Sequence, residues 1–246
     1  MPDDFLAELK IKWSLTSNKS PVVGITGTGG AGKSSVVDEL LERFLQQRPD
    51  IRIAVLAVDP TRRKTGGALL GDRIRMNSLA SANFYMRSMA TRRQHLATNE
   101  VLGDVVLYLR SVGYDLVLVE TAGIGQSDSQ IVDVVDLSIY VMTSDYGAAT
   151  QLEKIDMIDY ADVVILNKFE KRGSEDALRD IRKQWQRNHN AFDLSLDEIP
   201  VYPAIASQFN DPGLNYAFYS LCRSLSDKKK LDAGAWIPTV KVFPKN

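Results

Sequence analysis

One eight-residue stretch limits the possible folds of this 246-residue sequence more than any other feature. Residues 27–34 are Gly-Thr-Gly-Gly-Ala-Gly-Lys-Ser, which satisfies the pattern G-x-x-x-x-G-K-[S/T]. An apolar run at 21–26 precedes the stretch, and a segment with apolar residues every three or four positions follows it at 34–47. A glycine-rich loop between a strand and a helix is the setting in which this pattern binds the phosphates of a nucleotide. The sequence therefore predicts a P-loop.

Each part of the predicted P-loop has a chemical task. The backbone N–H groups of the loop surround the phosphates, and the following helix points the positive end of its dipole at them. Lys33 neutralises the β- and γ-phosphate oxygens, which makes it a candidate catalytic residue, and the Ser34 hydroxyl reaches Mg²⁺. The predicted nucleotide-binding residues of this loop are Gly29, Gly30, Ala31, Gly32, Lys33, Ser34 and Ser35.

Short apolar runs alternate along the chain with longer segments of helical periodicity. The predicted strands are 21–26, 51–58, 83–86, 115–119, 137–142, 163–166 and 200–204. The predicted helices are 34–47, 99–112, 174–188 and 214–225. Such alternation is typical of βαβ units, and strands that are apolar throughout are expected to be covered on both faces. The prediction is an α/β fold of the P-loop NTPase type, with a mostly parallel central sheet and helices on both faces.

The predicted organisation is one nucleotide-binding domain with a short segment at either end. The domain spans residues 21–225, residues 1–20 form a short amphipathic lead-in or linker, and residues 226–246 form an exposed tail or linker. No apolar run approaches the roughly 20 residues of a membrane-spanning helix. Acidic side chains also stand near the start, where a signal peptide carries basic ones. We therefore expect a cytoplasmic protein without a membrane partner.

Charge and metal-ligand content exclude two further classes of function. The chain has 30 basic and 31 acidic residues, a net charge of −1, and so lacks the positive field that non-specific nucleic-acid binding requires. We expect no nucleic-acid partner. Cys222 is the single cysteine, and with only two histidines the sequence does not support a structural zinc site.

Acidic residues follow two of the predicted strands. Asp59 ends the run at 51–58, and Glu120 ends the run at 115–119. The carboxyl ends of parallel strands meet at one edge of the sheet, which is where ligands bind in open α/β folds. Mg²⁺ prefers oxygen ligands. We predict a magnesium site formed by Ser34, Asp59, Asp72 and Glu120, with Glu120 also a candidate catalytic residue.

Two loops have the composition of nucleotide-sensing switches. In the first, Glu-Thr-Ala-Gly at 120–123 is expected to bring the Gly123 N–H to the γ-phosphate, and Gln126 is a candidate for positioning water. The second lies between residues 60 and 99, where basic residues outnumber acidic ones eight to one around Gly66-Gly67. Arg75 is the predicted phosphate contact in that loop.

A four-residue element predicts which base is bound. Asn-Lys-Phe-Glu at 167–170 follows the run at 163–166 and differs from the N-K-x-D element of GTPases in its last residue. An acid there accepts hydrogen bonds from the guanine N1 and N2 donors, which adenine lacks. Asn167 and Lys168 are predicted base contacts, and Glu170 is expected to give a guanine preference. Ser207 follows the last strand, where GTPases place a backbone N–H against guanine O6.

With these residues, the chain resembles the metallochaperone-type P-loop GTPases, and among them the MeaB family of chaperones for adenosylcobalamin-dependent acyl-CoA mutases. The resemblance covers about residues 20–225 and is most specific at 57–60, 66–67, 70–76 and 120–128. It implies that the Val58 carbonyl and Thr121 belong to the magnesium site. Glu170 and the six residues after it look closest to the G-domain of fused isobutyryl-CoA mutases.

The resemblance also implies a cellular role. GTP binding and hydrolysis would be coupled to loading adenosylcobalamin into an isobutyryl-CoA-type mutase and to releasing damaged cofactor. The implied ligands are Mg²⁺ with GTP or GDP, and the implied assembly is a homodimer. Neither His95 nor His189 stands in the D-x-H-x-x-G motif of cobalamin-binding domains. Adenosylcobalamin is therefore expected only through the mutase partner, in cis or in trans.

One other class of activity remains open on the residues alone, and a third is disfavoured. A P-loop ATPase or small-molecule kinase would need a base for the acceptor hydroxyl, and Asp128 and Asp145 are candidates that no pattern marks. A nickel-inserting GTPase would need His-rich or Cys-rich ligands, which the sequence lacks.

Overall fold

The computed structural model describes residues 3–17, 19–60, 76, 78, 81–91, 95–121, 128–147, 152, 155–229, 231–232 and 236–238. Its strands are β1 Val22–Gly27, β2 Ile53–Pro60, β3 Phe84–Thr91, β4 Leu116–Thr121, β5 Leu137–Met142, β6 Val163–Asn167 and β7 Val201–Ala204. Its helices are α1 Asp3–Thr16, α2 Lys33–Gln47, α3 His95–Ser111, α4 Met157–Tyr160, α5 Ser174–Asn188 and α6 Pro212–Lys229. Short 3₁₀ helices span Asp128–Asp133 and Ser144–Tyr146.

The strands form one sheet in the order β3-β2-β4-β1-β5-β6-β7, and every neighbouring pair is parallel. Because all strands run the same way, their carboxyl ends share one edge. The register brings the end of β4 beside both β1 and β2, since Glu120 pairs with Ile25 on one side and Ala57 on the other. The predicted α/β fold with a parallel sheet is confirmed. The P-loop follows β1 at this edge, and the two predicted acids are the second-last residues of β2 and β4.

Alternate residues of the strands bury into opposite faces of the sheet. In β2, Ile53 and Val55 pack in the core cluster beneath α2 and α6, whereas Ala54 and Leu56 pack against α3. On that second face, residues of α4 and α5 cover β5, β6 and β7. Burial on both faces explains why the strand sequences are apolar throughout.

Most predicted elements are confirmed to within a few residues, and two differ more. β3 extends to Thr91, well past the predicted 83–86. The apolar pattern stops earlier than the strand does, because β3 lies at the edge of the sheet and its later residues include polar ones such as Arg87. The lead-in at 1–20 contains a full helix, α1, which packs on α3 through Trp13 and Tyr108, with ring centroids 5.3 Å apart. Lys10 and Asp104 form an ion pair between the same helices.

Part of the segment after residue 225, for which the sequence predicts an exposed tail, is helical or buried. α6 continues to Lys229, and Trp236 is buried against the Phe44 ring, with the Arg48 guanidinium 5.1 Å from its centroid. The lysine run also has partners. Lys229 bonds Asp136 at 2.9 Å, just before β5, and Lys228 bonds Asp162, just before β6. These contacts join the end of α6 to the amino edge of the sheet.

Among the described residues, no helix is both long and apolar enough to cross a membrane.

Candidate nucleotide-binding site

The backbone at the start of the P-loop packs against strand β5. Gly27 ends β1 with φ +148°, and a Cβ there would lie 1.9 Å from the Val141 carbonyl oxygen, so no larger residue fits. The next residue, Thr28, donates its backbone N–H to the same oxygen at 3.1 Å. Gly32 adopts φ +87° and immediately precedes α2, so the start of the helix meets the loop without a capping side chain. This is the arrangement in which helix N–H groups receive an anion.

The Lys33 side chain packs against the P-loop. Its ammonium group donates to the Gly27 carbonyl at 3.0 Å and to the Thr28 carbonyl at 3.1 Å, and the side chain is buried. Both acceptors belong to the loop itself. The lysine charge thus lies against the P-loop, and its contact with phosphate stays a prediction.

Two hydroxyl contacts connect the P-loop and β1 to the end of β4. The Ser34 hydroxyl donates to Glu120 Oε1 at 2.9 Å, and Glu120 is 5% exposed. One residue later, Thr121 donates its hydroxyl to that of Thr26 at 2.8 Å. The Ser34–Glu120 contact places two oxygen donors of the predicted magnesium site side by side. This donor chemistry fits Mg²⁺, which binds few protein oxygens and completes its shell with water and phosphate.

Asn167 joins three parts of the site. Its side-chain N–H donates to the Ala31 carbonyl of the P-loop at 2.7 Å, and its Oδ1 accepts the Ala206 backbone N–H at 2.9 Å. Because Asn167 is 3% exposed, both bonds are shielded from water. The end of β6 is therefore fastened both to the phosphate loop and to the loop after β7.

The remaining predicted base contacts follow Asn167 or Ala206 in the chain. Lys168 has φ +59°, rare for a non-glycine residue, and its ammonium group donates to the Gly30 carbonyl at 2.8 Å. Its stem thus runs from the end of β6 towards the P-loop. Glu170 is exposed in the turn that follows, and Ser207 is exposed one residue after Ala206. Their contacts with a guanine base stay predictions.

Of the other predicted site residues beyond the P-loop, one is fully described, one is described by its backbone, and four lie outside the described residues. Val58 is buried near the end of β2 and pairs with Thr121 of β4, so its backbone lies at the expected edge. Asp59 follows it in β2, paired with Ala90, and only its backbone is described. The predicted residues that lie outside the described part are Asp72, Arg75, Gly123 and Gln126.

Residues 7–205 match the family model described as "Methylmalonyl Co-A mutase-associated GTPase MeaB". The chain belongs to the MeaB family. It is 59% identical over 208 residues to the fused isobutyryl-CoA mutase of Geobacillus kaustophilus, which covers 85% of this chain and 19% of that protein. It is 53% identical over 206 residues to the fused isobutyryl-CoA mutase of Cupriavidus metallidurans, covering 83% of this chain and 19% of that protein. The chain thus spans about a fifth of the length of these relatives.

The fold of this MeaB-family chain is shared with solved structures. The crystal structure of an LAO/AO transport system kinase superposes with a TM-score of 0.64 over 91% of this chain and 68% of that one. Sequence identity is 22%, so the likeness concerns the fold alone.

One contact in this MeaB-family site was not foreseen from the sequence. Asp145, in the 3₁₀ helix after β5, accepts hydrogen bonds from Lys171 at 2.6 Å and from the Thr143 hydroxyl at 3.0 Å. The hydrogen bond from Lys171, followed by that from Thr143, lowers the pKa of the Asp145 carboxyl. Lys171 directly follows Glu170, so the ion pair joins the loop after β5 to the loop after β6 that contains Glu170. An acid three residues after a strand is too common a pattern to have indicated it.

Proposed function

We propose that this chain binds GTP with Mg²⁺, hydrolyses it to GDP and phosphate, and acts as a chaperone for an adenosylcobalamin-dependent acyl-CoA mutase of the isobutyryl-CoA type. In this role, the nucleotide state controls cofactor loading and the release of damaged cofactor. Membership in the MeaB family and identity to fused isobutyryl-CoA mutases support the proposal.

The Asn167 junction is the observation that carries the nucleotide part of the proposal. One buried side chain holds the phosphate loop at Ala31 and the loop after β7 at Ala206. A ligand that touches both loops needs an anionic end against the glycine-rich loop. Its other end needs hydrogen-bonding groups for Lys168, Glu170 and Ser207. A nucleoside phosphate has this shape, and Glu170 at the second end favours guanine over adenine.

The chain's own groups account for the steps of the reaction. The P-loop amides and the start of α2 bind the phosphate oxygens, and Lys33 exchanges the Gly27 and Thr28 carbonyls for phosphate. Ser34 and Glu120 are positioned to hold Mg²⁺, with Asp59, Asp72, Thr121 and the Val58 carbonyl as further proposed ligands. The ion, when bound, neutralises charge that develops between the β- and γ-phosphates. We assign Gly123 and Arg75 to the γ-phosphate and Gln126 to the attacking water.

The kinase alternative is weakened by the state of one candidate base. Asp145 already accepts two hydrogen bonds, and the lowered pKa makes its carboxylate a weaker base. The backbone of Asp128, the other candidate base, begins a 3₁₀ helix, and its side chain lies outside the described part of the chain.

The chaperone part of the proposal rests on the relatives. Those sharing 53–59% identity carry the matching segment as 19% of a polypeptide named for its mutase. A GTPase unit built into the mutase chain is placed to report its nucleotide state to that enzyme. We propose the same partnership here, in cis or in trans, within a cytoplasmic homodimeric assembly.

Phosphate release from GTP tests the proposal. The rate is measured for the complete protein with Mg²⁺, with and without its acyl-CoA mutase, beside a Lys33→Ala variant. We expect slow hydrolysis alone, acceleration by the mutase and loss of activity in the variant. Transfer of adenosylcobalamin to the apo-mutase, followed by absorbance, should depend on GTP. Equal transfer with and without GTP would contradict the chaperone role, and undetectable hydrolysis under all conditions would contradict the GTPase.

A further inference from the structure

Phe209 stands at the tip of a well-anchored loop with 85% of its surface exposed. The loop joins β7 to α6. On its first side, Gln208 donates its backbone N–H to the Ile205 carbonyl at 2.8 Å, which closes a tight turn. On its second side, Asp211 is buried and caps α6 by accepting the Leu214 N–H at 2.8 Å. A large apolar side chain is therefore held in solvent by a loop that is fixed at both ends.

Further contacts fix the second half of this loop. Asn210 has φ +53°, which reverses the chain directly after Phe209, and its Oδ1 accepts from the Asn215 side chain at 3.0 Å. Asn215 in turn accepts from Arg43 Nε at 2.8 Å, and Arg43 belongs to α2, the helix that starts at the P-loop. The position of Phe209 is thus tied to the same helix that carries Lys33 and Ser34.

The loop also connects Phe209 to the base-reading residues. Ala206 is bonded to Asn167, which is bonded to the P-loop. Phe209 is the third residue after Ala206, so their Cα atoms are at most about 11 Å apart. A phenylalanine ring extends several ångströms beyond its Cα. The ring is therefore within reach of a base that lies against Lys168 and Ser207.

We propose that Phe209 stacks on the purine base and covers the face that Lys168 leaves open. This inference rests on the proposed nucleotide binding and adds a residue to it. Stacking between an aromatic ring and a base is favourable and tolerates any purine, since every base has a π face. Glu170 supplies the preference for guanine, and Phe209 supplies affinity that guanine and adenine share. Stacking on the base also explains why a large apolar side chain is exposed to solvent on a loop that is fixed at both ends.

Titration calorimetry with GDP and Mg²⁺ tests the proposal on the full chain. Base stacking is worth about 1–3 kcal/mol, so we expect Phe209→Ala to weaken GDP binding about 5- to 150-fold. Phe209→Tyr should bind as wild type does. The matched control is Phe192→Ala, since Phe192 is also an exposed loop phenylalanine, at 67%, and has no role in the site. It should leave GDP affinity unchanged.

A fluorescence readout distinguishes stacking from a general effect on the loop. In a Phe209→Trp variant, GDP should change the emission of the new indole by an amount that wild type does not show, whereas pyrophosphate with Mg²⁺ should not. Wild-type affinity for GDP in Phe209→Ala would overturn the stacking and leave the proposed function intact. An equal loss in Phe192→Ala would also overturn it. Failure of the wild-type chain to bind GDP would overturn both.

Discussion

The Ser34 hydroxyl lies 2.9 Å from Glu120 Oε1, although 86 residues separate the two in sequence. The contact exists because β1 and β4 are parallel neighbours whose carboxyl ends meet at one edge, with Ile25 opposite Glu120. It joins the residue that follows the P-loop lysine to the first residue of the predicted switch. A magnesium ion bound at this point would connect the phosphates to that switch.

Ser34→Ala is expected to uncouple nucleotide binding from magnesium. The variant removes one oxygen donor and one hydrogen bond to the buried Glu120, which should cost about 1–2 kcal/mol of stability. In wild type, GDP affinity should fall when Mg²⁺ is chelated. In the variant it should be low and insensitive to chelation, while Ser34→Thr keeps the dependence. A Ser34→Ala protein whose GDP affinity still responds to Mg²⁺ would contradict this site.

Gly32→Ala is expected to disrupt the P-loop. A Cβ at Gly32 would lie 2.6 Å from the Asn167 amide nitrogen, and the φ of +87° is itself unfavourable for alanine. We expect a loss of at least about 2 kcal/mol in stability. Gly29→Ala is the control for folding, because a Cβ there has nothing within 4 Å and its φ is not in the left-handed region. Equal stability of the two variants, measured by urea unfolding, would show that the contact is absent.

Asn167→Asp is nearly isosteric but replaces a donor by an acceptor. The Ala31 carbonyl would then face a carboxylate oxygen in a buried setting, at an expected cost of about 2–3 kcal/mol. GDP affinity should fall with stability because both loops of the site are released. An exposed control is Asn190→Asp, just after α5. If Asn167→Asp unfolds at the same urea concentration as that control, the junction does not stabilise the site.

Cys222 offers a probe of unfolding, since it is the single cysteine of the chain. Its side chain is buried in α6, and burial raises the pKa of the thiol well above its usual value. The reactive thiolate is therefore scarce and shielded in the folded protein. Labelling by a thiol reagent at pH 8 should be slow, should accelerate with urea, and should slow further with GDP because the ligand stabilises the folded state. Rapid labelling of the folded protein would contradict the packing of α6.

The sequence predicts the parts of this molecule that depend on short-range patterns. Strand β5 and helix α5 have the predicted bounds, because continuous apolar runs and three-four periodicity are local signals. The P-loop follows from residues 27–34 alone. Contacts between distant segments carry no such signal. The bond from Asn167 to Ala31 spans 136 residues, and it follows only from the strand order that places β6 two strands from β1.

The C-terminal segment shows the same limit. A run of lysines followed by prolines has the composition of an exposed tail, yet Lys228 and Lys229 pair with acids that precede β6 and β5. Trp236 is buried beside Phe44 and Arg48, at the end of the P-loop helix. Burial of a large aromatic side chain outweighs the polar character of its neighbours. The composition of a segment does not reveal a surface that is formed elsewhere in the chain.

Calorimetric titration of the chain with GDP and, separately, with ADP in the presence of Mg²⁺ tests whether the site selects guanine. We expect GDP to bind at least about 100-fold more tightly than ADP, because Glu170 accepts from guanine donors that adenine lacks, and we expect Glu170→Ala to remove most of this difference. Comparable affinity for GDP and ADP in the wild-type protein would contradict a guanine-specific site and favour an ATPase or kinase.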